Sequence, residues 1–145
     1  MRTKSVLTLD DAKKLMAAAE AEATKNKWDI VVAVLDDGAH LIGLHRMDRA
    51  RPGNPDVAIQ KARTSALTLR SSKVWEDRVL EGRTSMLGMP FLPVQGGLPI
   101  IVNGDCIGAI GISGVTSQQD EQVARAAIHS LFPTAEFVRP EDKHE

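Results

Sequence analysis

Residues 100–113 read IIVNGDCIGAIGIS, and this stretch decides the fold class. Two apolar runs, 100–102 and 106–113, flank a polar turn that contains Asn103 and Gly104. An Asn-Gly pair between apolar runs is the strongest short-range signal for a β-hairpin. Gly108 and Gly111 lack side chains where a strand normally carries them, so we expect a neighbouring backbone, helix or ligand to approach closely there.

A second hairpin is predicted nearer the N terminus. Residues 29–36, DIVVAVLD, are rich in β-branched side chains and end at a turn that contains Gly38. Residues 40–47, HLIGLHRM, form the returning strand, in which His45 and Arg46 point to opposite faces because side chains alternate along a strand. Two hairpins without parallel crossovers predict a mainly antiparallel sheet.

Helices are expected around this sheet. Thr8 is the expected N-cap of a helix over 8–27, with an apolar face of Leu9, Ala12, Met16, Ala19 and Ala23. Asn54 is the expected N-cap of a second helix, with Pro55 as its first helical residue. Residues 74–80 fit a short helix that ends at Gly82, and a further helix begins at 117–121 with a capping box.

This order of elements predicts one α+β domain over residues 1–145, an antiparallel sheet flanked by helices. We expect the core to span about 6–132 and the charged tail, 136–145, to be frayed.

Composition excludes several classes of function. The 145 residues carry 18 Lys and Arg against 19 Asp and Glu, so a net charge of −1 argues against nucleic acid as a partner. The single cysteine, Cys106, excludes an internal disulfide and a cysteine-based zinc site. No apolar run reaches the roughly 18 residues of a membrane span, and residues 1–10 lack the apolar core of a secretory signal. We therefore expect a cytoplasmic protein with no membrane partner.

The densest polar cluster follows the second strand and contains Arg46, Asp48, Arg49 and Arg51. A guanidinium presents a planar fork to a carboxylate, so Arg46 is a candidate ligand-binding residue. The alternative is a solvated loop in which Arg46 pairs with Asp48, an arrangement that is common and weak.

Lys61 lies at the edge of an alanine-lined helix face, from which it reaches a ligand, a buried carboxylate or solvent. Gly96 and Gly97 either expose backbone N–H groups to an anion or form a bend before Pro99. Ser113 ends the last strand and could face the same place. Asp120 and Glu121 lie in the first turn of the following helix, where they would repel an anion, so capping is favoured for that turn.

The sequence has four histidines, His40, His45, His129 and His144. His40 and His45 are five residues apart on a strand, point to opposite faces and cannot chelate one metal together, so we nominate no metal site. Any single histidine could be an axial haem ligand, although a lone histidine is more often a satisfied polar residue. Cys106 is expected to be a small buried apolar residue.

Read in order, short motifs along the chain resemble the GlcG/HbpS family, which also includes the C-terminal domain of PduO-type corrinoid adenosyltransferases. The resemblance covers residues 6–132, and its motifs are 7–12 LTLDDA, 34–41 VLDDGAHL, 46–48 RMD, 58–64 AIQKART, 95–100 QGGLPI, Gly104, 107–114 IGAIGISG and 119–124 QDEQVA. It implies a profilin-like α+β fold and homo-oligomers. It also implies haem binding in some members, whereas others accompany the catabolism of small organic compounds.

Two departures from the family pattern bear on haem. Ala39 stands where the family usually has a second glycine before the hairpin histidine. His45 and His129 fall where the family commonly has other residues, so the resemblance carries no haem ligand to this chain.

Two functional hypotheses follow. In the first, the protein binds a small ligand, haem or another carboxylate-bearing molecule, with Arg46, Gly96, Gly97 and Ser113 as ligand-binding residues. In the second, it is an enzyme for a small unsaturated acid from aromatic catabolism, acting by tautomerisation or hydrolytic deamination. Asp48, Lys61 or His45 would then transfer the proton.

Overall fold

The computed structural model describes residues 1–143. In chain order the elements are α1 (Leu9–Lys25), β1 (Val31–Asp36), β2 (Leu41–Arg46), α2 (Asn54–Thr68), α3 (Ser72–Leu80), a 3₁₀ helix (Thr84–Gly88), β3 (Gly97–Val102), β4 (Asp105–Ser113), α4 (Ser117–Leu131) and a second 3₁₀ helix (Pro140–Asp142). Among these residues no helix is both long and apolar enough to cross a membrane.

The four strands form one sheet in the order β2-β1-β4-β3, and every neighbouring pair is antiparallel. The predicted hairpins are β1–β2 and β3–β4, which pair with each other through β1 and β4. The two central strands are buried almost throughout, because helices cover both faces of the sheet. The α+β architecture is therefore confirmed.

Helices α1 and α4 cover one face of the sheet, and α2 covers the other. The α2 face is lined by alanines, which let the helix lie close to β1 and β4. A Cβ atom added to Gly111 would overlap the carbonyl oxygen of Ala58, so only glycine permits this approach. Gly108 is confined in the same way by Leu7 and the carbonyl of Leu35, which confirms the expected close approach at both glycines.

The helix starts follow the expected chemistry with two differences. Thr8 caps α1 in a capping box with Asp11, but Leu9 is exposed because it lies in the first turn, away from the sheet. The N-cap of α2 is Gly53 rather than Asn54, since the Asn54 amide already donates to Arg51 and brings Asn54 into the helix. Gly82, with φ of +106°, follows the end of α3 as expected.

The segment 136–143 is docked rather than frayed. Glu136 exchanges two backbone hydrogen bonds with Ile101, at 2.9 and 3.2 Å, and so extends the edge of β3. The guanidinium of Arg139 donates to Asp142 at 2.7 Å. Charge pattern alone predicted a solvated tail, but these contacts satisfy the backbone and the carboxylate. Residues 144 and 145, including His144, lie outside the described residues.

Candidate functional site

Lys61 is buried in an ion pair. It projects from the alanine-lined face of α2 and is only 3% exposed. Its Nζ donates to Oδ2 of Asp120 at 2.9 Å and to the carbonyl oxygen of Ile112 at 3.1 Å. Of the three partners considered for Lys61, the structure therefore shows the buried carboxylate.

Asp120 lies in the first turn of α4 and is 2% exposed. Its Oδ1 accepts a hydrogen bond from the amide of Val115 at 3.1 Å, so both carboxylate oxygens have partners. Burial raises the pKa of Asp120, and the ammonium of Lys61 opposes that rise. The expected repulsion of an anion by Asp120 is offset because Lys61 supplies the opposite charge. Capping of α4 falls to Thr116 and Gln119 instead.

Gly96 lies directly over the ammonium of Lys61. Its φ of +132° is in the region that favours glycine, and an added Cβ atom would lie 2.8 Å from Nζ of Lys61 and 2.9 Å from the carbonyl oxygen of Ile112. The Gly96 carbonyl accepts a hydrogen bond from the Ile112 amide at 3.0 Å, whereas the Gly96 amide has no partner among residues 1–143. This amide is a donor that a ligand could use.

Gly97 does not offer its amide to a ligand. The hydroxyl of Ser72 accepts the hydrogen bond of the Gly97 amide at 2.9 Å. An added Cβ atom would overlap the backbone of Lys61 and lie 3.0 Å from Oγ of Ser65. The role of Gly97 in this geometry is to let α2 approach β3. The expectation that its amide faces an anion is wrong for Gly97, because Ser72 takes that amide, and it stays a prediction for Gly96.

Two hydroxyl groups near these glycines lack partners among the described residues. Oγ of Ser65, one turn after Lys61, is fully buried and unpaired. Ser113 is 7% exposed, and its hydroxyl takes part in none of the described hydrogen bonds. Buried polar groups usually have a partner, so the Ser65 hydroxyl, next to Gly97, is an exception in this structure. We call Lys61, Gly96, Gly97 and Ser113 the Lys61 cluster.

Arg46 lies at the same end and on the same face of the sheet as this cluster. Val31 of β1 is directly opposite Arg46 of β2 on one side and Ser113 of β4 on the other. Side chains of directly opposed residues share a face, and Val31 packs with Ala58 and Ala62 of α2. Arg46 is exposed there, about 10 Å from β4 by strand spacing.

The other sequence-derived candidates are not brought to this cluster. His45 lies on the opposite face, where Nδ1 is 2.7 Å from a carboxylate oxygen of Glu20 on α1. Asp48 is exposed in the turn after β2, and no ion pair joins it to Arg46 among residues 1–143. His45 is therefore separated from Lys61 by the sheet itself, because its neighbours on β1 and β4 belong to the α1–α4 core.

The other described histidines and Cys106 are also remote from the Lys61 cluster. His40 follows the β1–β2 turn, at the opposite end of β2 from Arg46. His129 contacts the carbonyl of Ala135 from the second half of α4. Cys106 is buried, with its Sγ 3.3 Å from the Gly108 carbonyl, and burial raises the pKa of its thiol. Within the described part of the chain no group of three His, Cys, Asp or Glu residues could hold a metal ion.

The sequence reasoning missed that the carboxylate partner of Lys61 is Asp120, and it missed the unpaired hydroxyl of Ser65. One signal for Asp120 was available, because it precedes Val123 and Ala124 by three and four residues and so lies on the buried side of α4. No comparable signal existed for Ser65, because its hydroxyl is buried by the packing of α2 against Gly97 of β3.

An α+β domain with a four-stranded antiparallel sheet and an internal charged cluster is the class that these observations define. A sequence profile for the family described as "Haem degrading protein HbpS-like" matches residues 7–129. The chain is 45% identical over 114 residues to Protein GlcG of Escherichia coli K12, covering 78% of this chain and 85% of that protein. The chain belongs to the HbpS-like family.

Solved structures give the same assignment. The Klebsiella pneumoniae protein ORFY superposes with a TM-score of 0.84 and 29% identity, over 94% of this chain and 97% of that one. The structure titled PduOC:Heme Complex superposes with a TM-score of 0.82 and 26% identity, over 93% of this chain and all of that one. The resemblance inferred from the motifs is confirmed.

Proposed function

We propose that the protein binds a small planar molecule that carries a carboxylate, at the end of the sheet where Arg46 and the Lys61 cluster lie. The observation that carries the proposal is the unpaired amide of Gly96 over the buried ion pair of Lys61 and Asp120, at the end of the sheet where Ser113 also lies. This amide and the exposed guanidinium of Arg46 suit an anionic group, because Arg and backbone N–H groups are strong donors to carboxylates.

Haem is the first ligand to test, because the relative named PduOC was solved as a haem complex and the family is described as haem-degrading. Arg46 would meet a haem carboxylate, but the three described histidines lie on the opposite face, at the far end of β2 and late in α4. The cluster thus fits the carboxylate edge of haem and does not supply an imidazole for its iron. The proposal therefore concerns the carboxylate-bearing class, with haem as one member.

Titration with hemin tests this proposal. We expect a Soret shift that saturates near one equivalent per subunit, and an Arg46→Gln variant that binds about tenfold more weakly, since a charge-assisted hydrogen bond is lost. Arg83→Gln, a change of the same charge in an exposed loop, is the matched control. Hemin dimethyl ester, which lacks free carboxylates, should bind the wild type no better than hemin binds Arg46→Gln. Equal binding of hemin and its ester would refute the carboxylate contact.

The enzyme hypothesis stays a prediction. Lys61 is committed to Asp120, His45 to Glu20, and Asp48 is exposed to solvent, so the three proposed proton-transfer groups do not converge. We therefore prefer the ligand-binding hypothesis to the hypothesis that the protein catalyses tautomerisation or deamination. Homo-oligomeric assembly is likewise a proposal drawn from the family resemblance, and light scattering of the purified protein measures it. The cytoplasmic location expected from the sequence and the link to aromatic catabolism in the enzyme hypothesis are also proposals.

A further inference from the structure

A cleft of about 720 Å³ lies between α3, α4 and the C-terminal segment. None of Arg46, Lys61, Gly96, Gly97 and Ser113 lines it. Its volume is in the range of small-molecule sites. The cleft exists because the segment 136–143 is anchored to β3 and so forms a wall opposite α3.

The interior of the cleft has an apolar surface. Val74 of α3, Leu98 of β3, and Phe137 and Val138 of the C-terminal segment line it. Val138 is 39% exposed although it is apolar. The ring of Phe137 is fixed in place, because the guanidinium carbon of Arg125 lies 4.6 Å from its centroid and the ring of His129 lies 5.1 Å away.

The carboxylates of the lining already have cationic partners. Asp77 pairs with Lys73 at 2.6 Å, Glu136 with Lys143 at 2.7 Å and Asp142 with Arg139 at 2.7 Å. The fourth, Glu121, accepts from Ser71 at 3.0 Å and lies 3.5 Å from Arg125. The charge of the acidic lining is therefore largely compensated.

The positive charge of Arg78 is not compensated by any carboxylate of the described residues. Arg78 lines the cleft, has no carboxylate partner among residues 1–143, and is stacked over the ring of Trp75 with its guanidinium carbon 4.7 Å from the centroid. Stacking holds the planar guanidinium in one orientation while leaving its N–H donors available at the edge. Arg125, with its long contact to Glu121, is a second donor on the facing helix.

We propose that this cleft is a second binding site, for an amphipathic organic anion. Such a ligand has an aromatic or aliphatic body and one carboxylate or sulfonate group. Its body would lie against Val74, Phe137 and Val138, and its anionic group would accept hydrogen bonds from Arg78, with Arg125 as the neighbouring donor. The site does not depend on the function proposed for the Lys61 cluster, because the two share no residue.

Fluorescence titration with 8-anilinonaphthalene-1-sulfonate, an aromatic sulfonate, tests the proposal on the full chain. We expect saturation at one equivalent, with affinity reduced about tenfold by Arg78→Gln because a charge-assisted contact is removed. Arg83→Gln is the matched control, since Arg83 is an exposed arginine outside the cleft lining. Arg46→Gln should also leave this affinity unchanged, which separates the cleft from the Lys61 cluster.

A second variant keeps the test decisive if Arg78→Gln is unstable. Val138→Asp places a carboxylate at a partly exposed position in the cleft and should weaken binding of the sulfonate at least tenfold, at an unchanged melting temperature. The neutral probe N-phenyl-1-naphthylamine should be insensitive to Arg78→Gln. If the sulfonate binds Arg78→Gln and Arg83→Gln equally, or Val138→Asp as well as the wild type, the proposed site is wrong.

Discussion

The ammonium of Lys61 lies 2.9 Å from a carboxylate oxygen of Asp120, although 59 residues separate them in the chain. The two helices that carry these residues cover opposite faces of the sheet, and the pair joins them beside the carbonyl of Ile112. Both side chains are almost completely buried. The ion pair thus fixes the two helical layers relative to each other, next to the unpaired Gly96 amide.

Replacing one partner of this ion pair should lower the free energy of unfolding strongly. Lys61→Met leaves the Asp120 carboxylate buried without its counter-charge, and we expect a loss of about 3–5 kcal/mol in the free energy of unfolding. Lys61→Met combined with Asp120→Asn should lose clearly less than the sum of the two single variants, because no buried charge remains unpaired. Chemical denaturation of all four proteins measures the coupling.

The exposed pair of Lys73 and Asp77 is the matched control for this cycle, since its Nζ–Oδ2 distance is also short, at 2.6 Å. Lys73→Met and Asp77→Asn should be additive within error because both side chains are solvated. Additive effects at Lys61 and Asp120 as well would contradict the view that their pairing is energetically important.

Glycine at position 111 should be essential for the approach of α2 to the sheet. Gly111→Ala would place a methyl group against the carbonyl oxygen of Ala58 and 2.7 Å from the amide nitrogen of Ala62, so the helix must shift. We expect a loss of about 3 kcal/mol in the free energy of unfolding. Gly88→Ala, where an added Cβ meets nothing within 4 Å, should change it by less than about 0.5 kcal/mol. Similar midpoints for both variants in urea unfolding would rule out this steric account.

Cys106 should be unreactive in the native state. Its thiol is buried, and burial raises its pKa, so little thiolate forms at neutral pH. We expect reaction with Ellman's reagent only after guanidinium is added. Ser130→Cys in a Cys106→Ser background should react at once, since position 130 is exposed on α4. Equally rapid labelling of native Cys106 would contradict the burial of its thiol in β4.

Docking of the C-terminal segment should weaken in acid. The Arg139 guanidinium lowers the pKa of Asp142 below its ordinary value of 3.8, so the folded state binds the proton less tightly than the unfolded chain. The stabilisation from this group is complete well above pH 3.8 and is lost as the pH falls through the lowered pKa. Hydrogen exchange of the Glu136 amide should accelerate from about pH 5 to about pH 3 beyond its intrinsic pH dependence.

Asp142→Asn should remove that extra acceleration, because amides do not titrate. Glu141→Gln is the control, since Glu141 is exposed and its contact with Arg139 is long, at 3.5 Å. An identical pH profile in Asp142→Asn and the wild type would exclude Asp142 as the responsible group.

Local patterns were sufficient for the elements themselves. The Asn103-Gly104 turn and the apolar runs on either side of it specify a hairpin through contacts between close neighbours. Thr8 specifies a helix start because its hydroxyl accepts a hydrogen bond from the Asp11 amide. Such signals involve only residues that are close together in the chain, so they can be identified from the sequence alone. The same reasoning placed the N-cap of α2 one residue too late, at Asn54 instead of Gly53, because the Asn54 amide already donates to the Arg51 carbonyl in the preceding turn.

The sequence by itself determined an α+β domain, a close approach at Gly108 and Gly111, and the position of Lys61 at the edge of the alanine-lined face of α2. Only the tertiary structure decided that Lys61 meets Asp120, that His45 lies on the other face, and that residues 136–143 dock on β3. The physical reason is that a pairing between distant residues is fixed by how layers pack and by which buried charges must be matched. Periodicity indicates that a residue such as Asp120 is buried, but it does not indicate which distant residue that side chain meets.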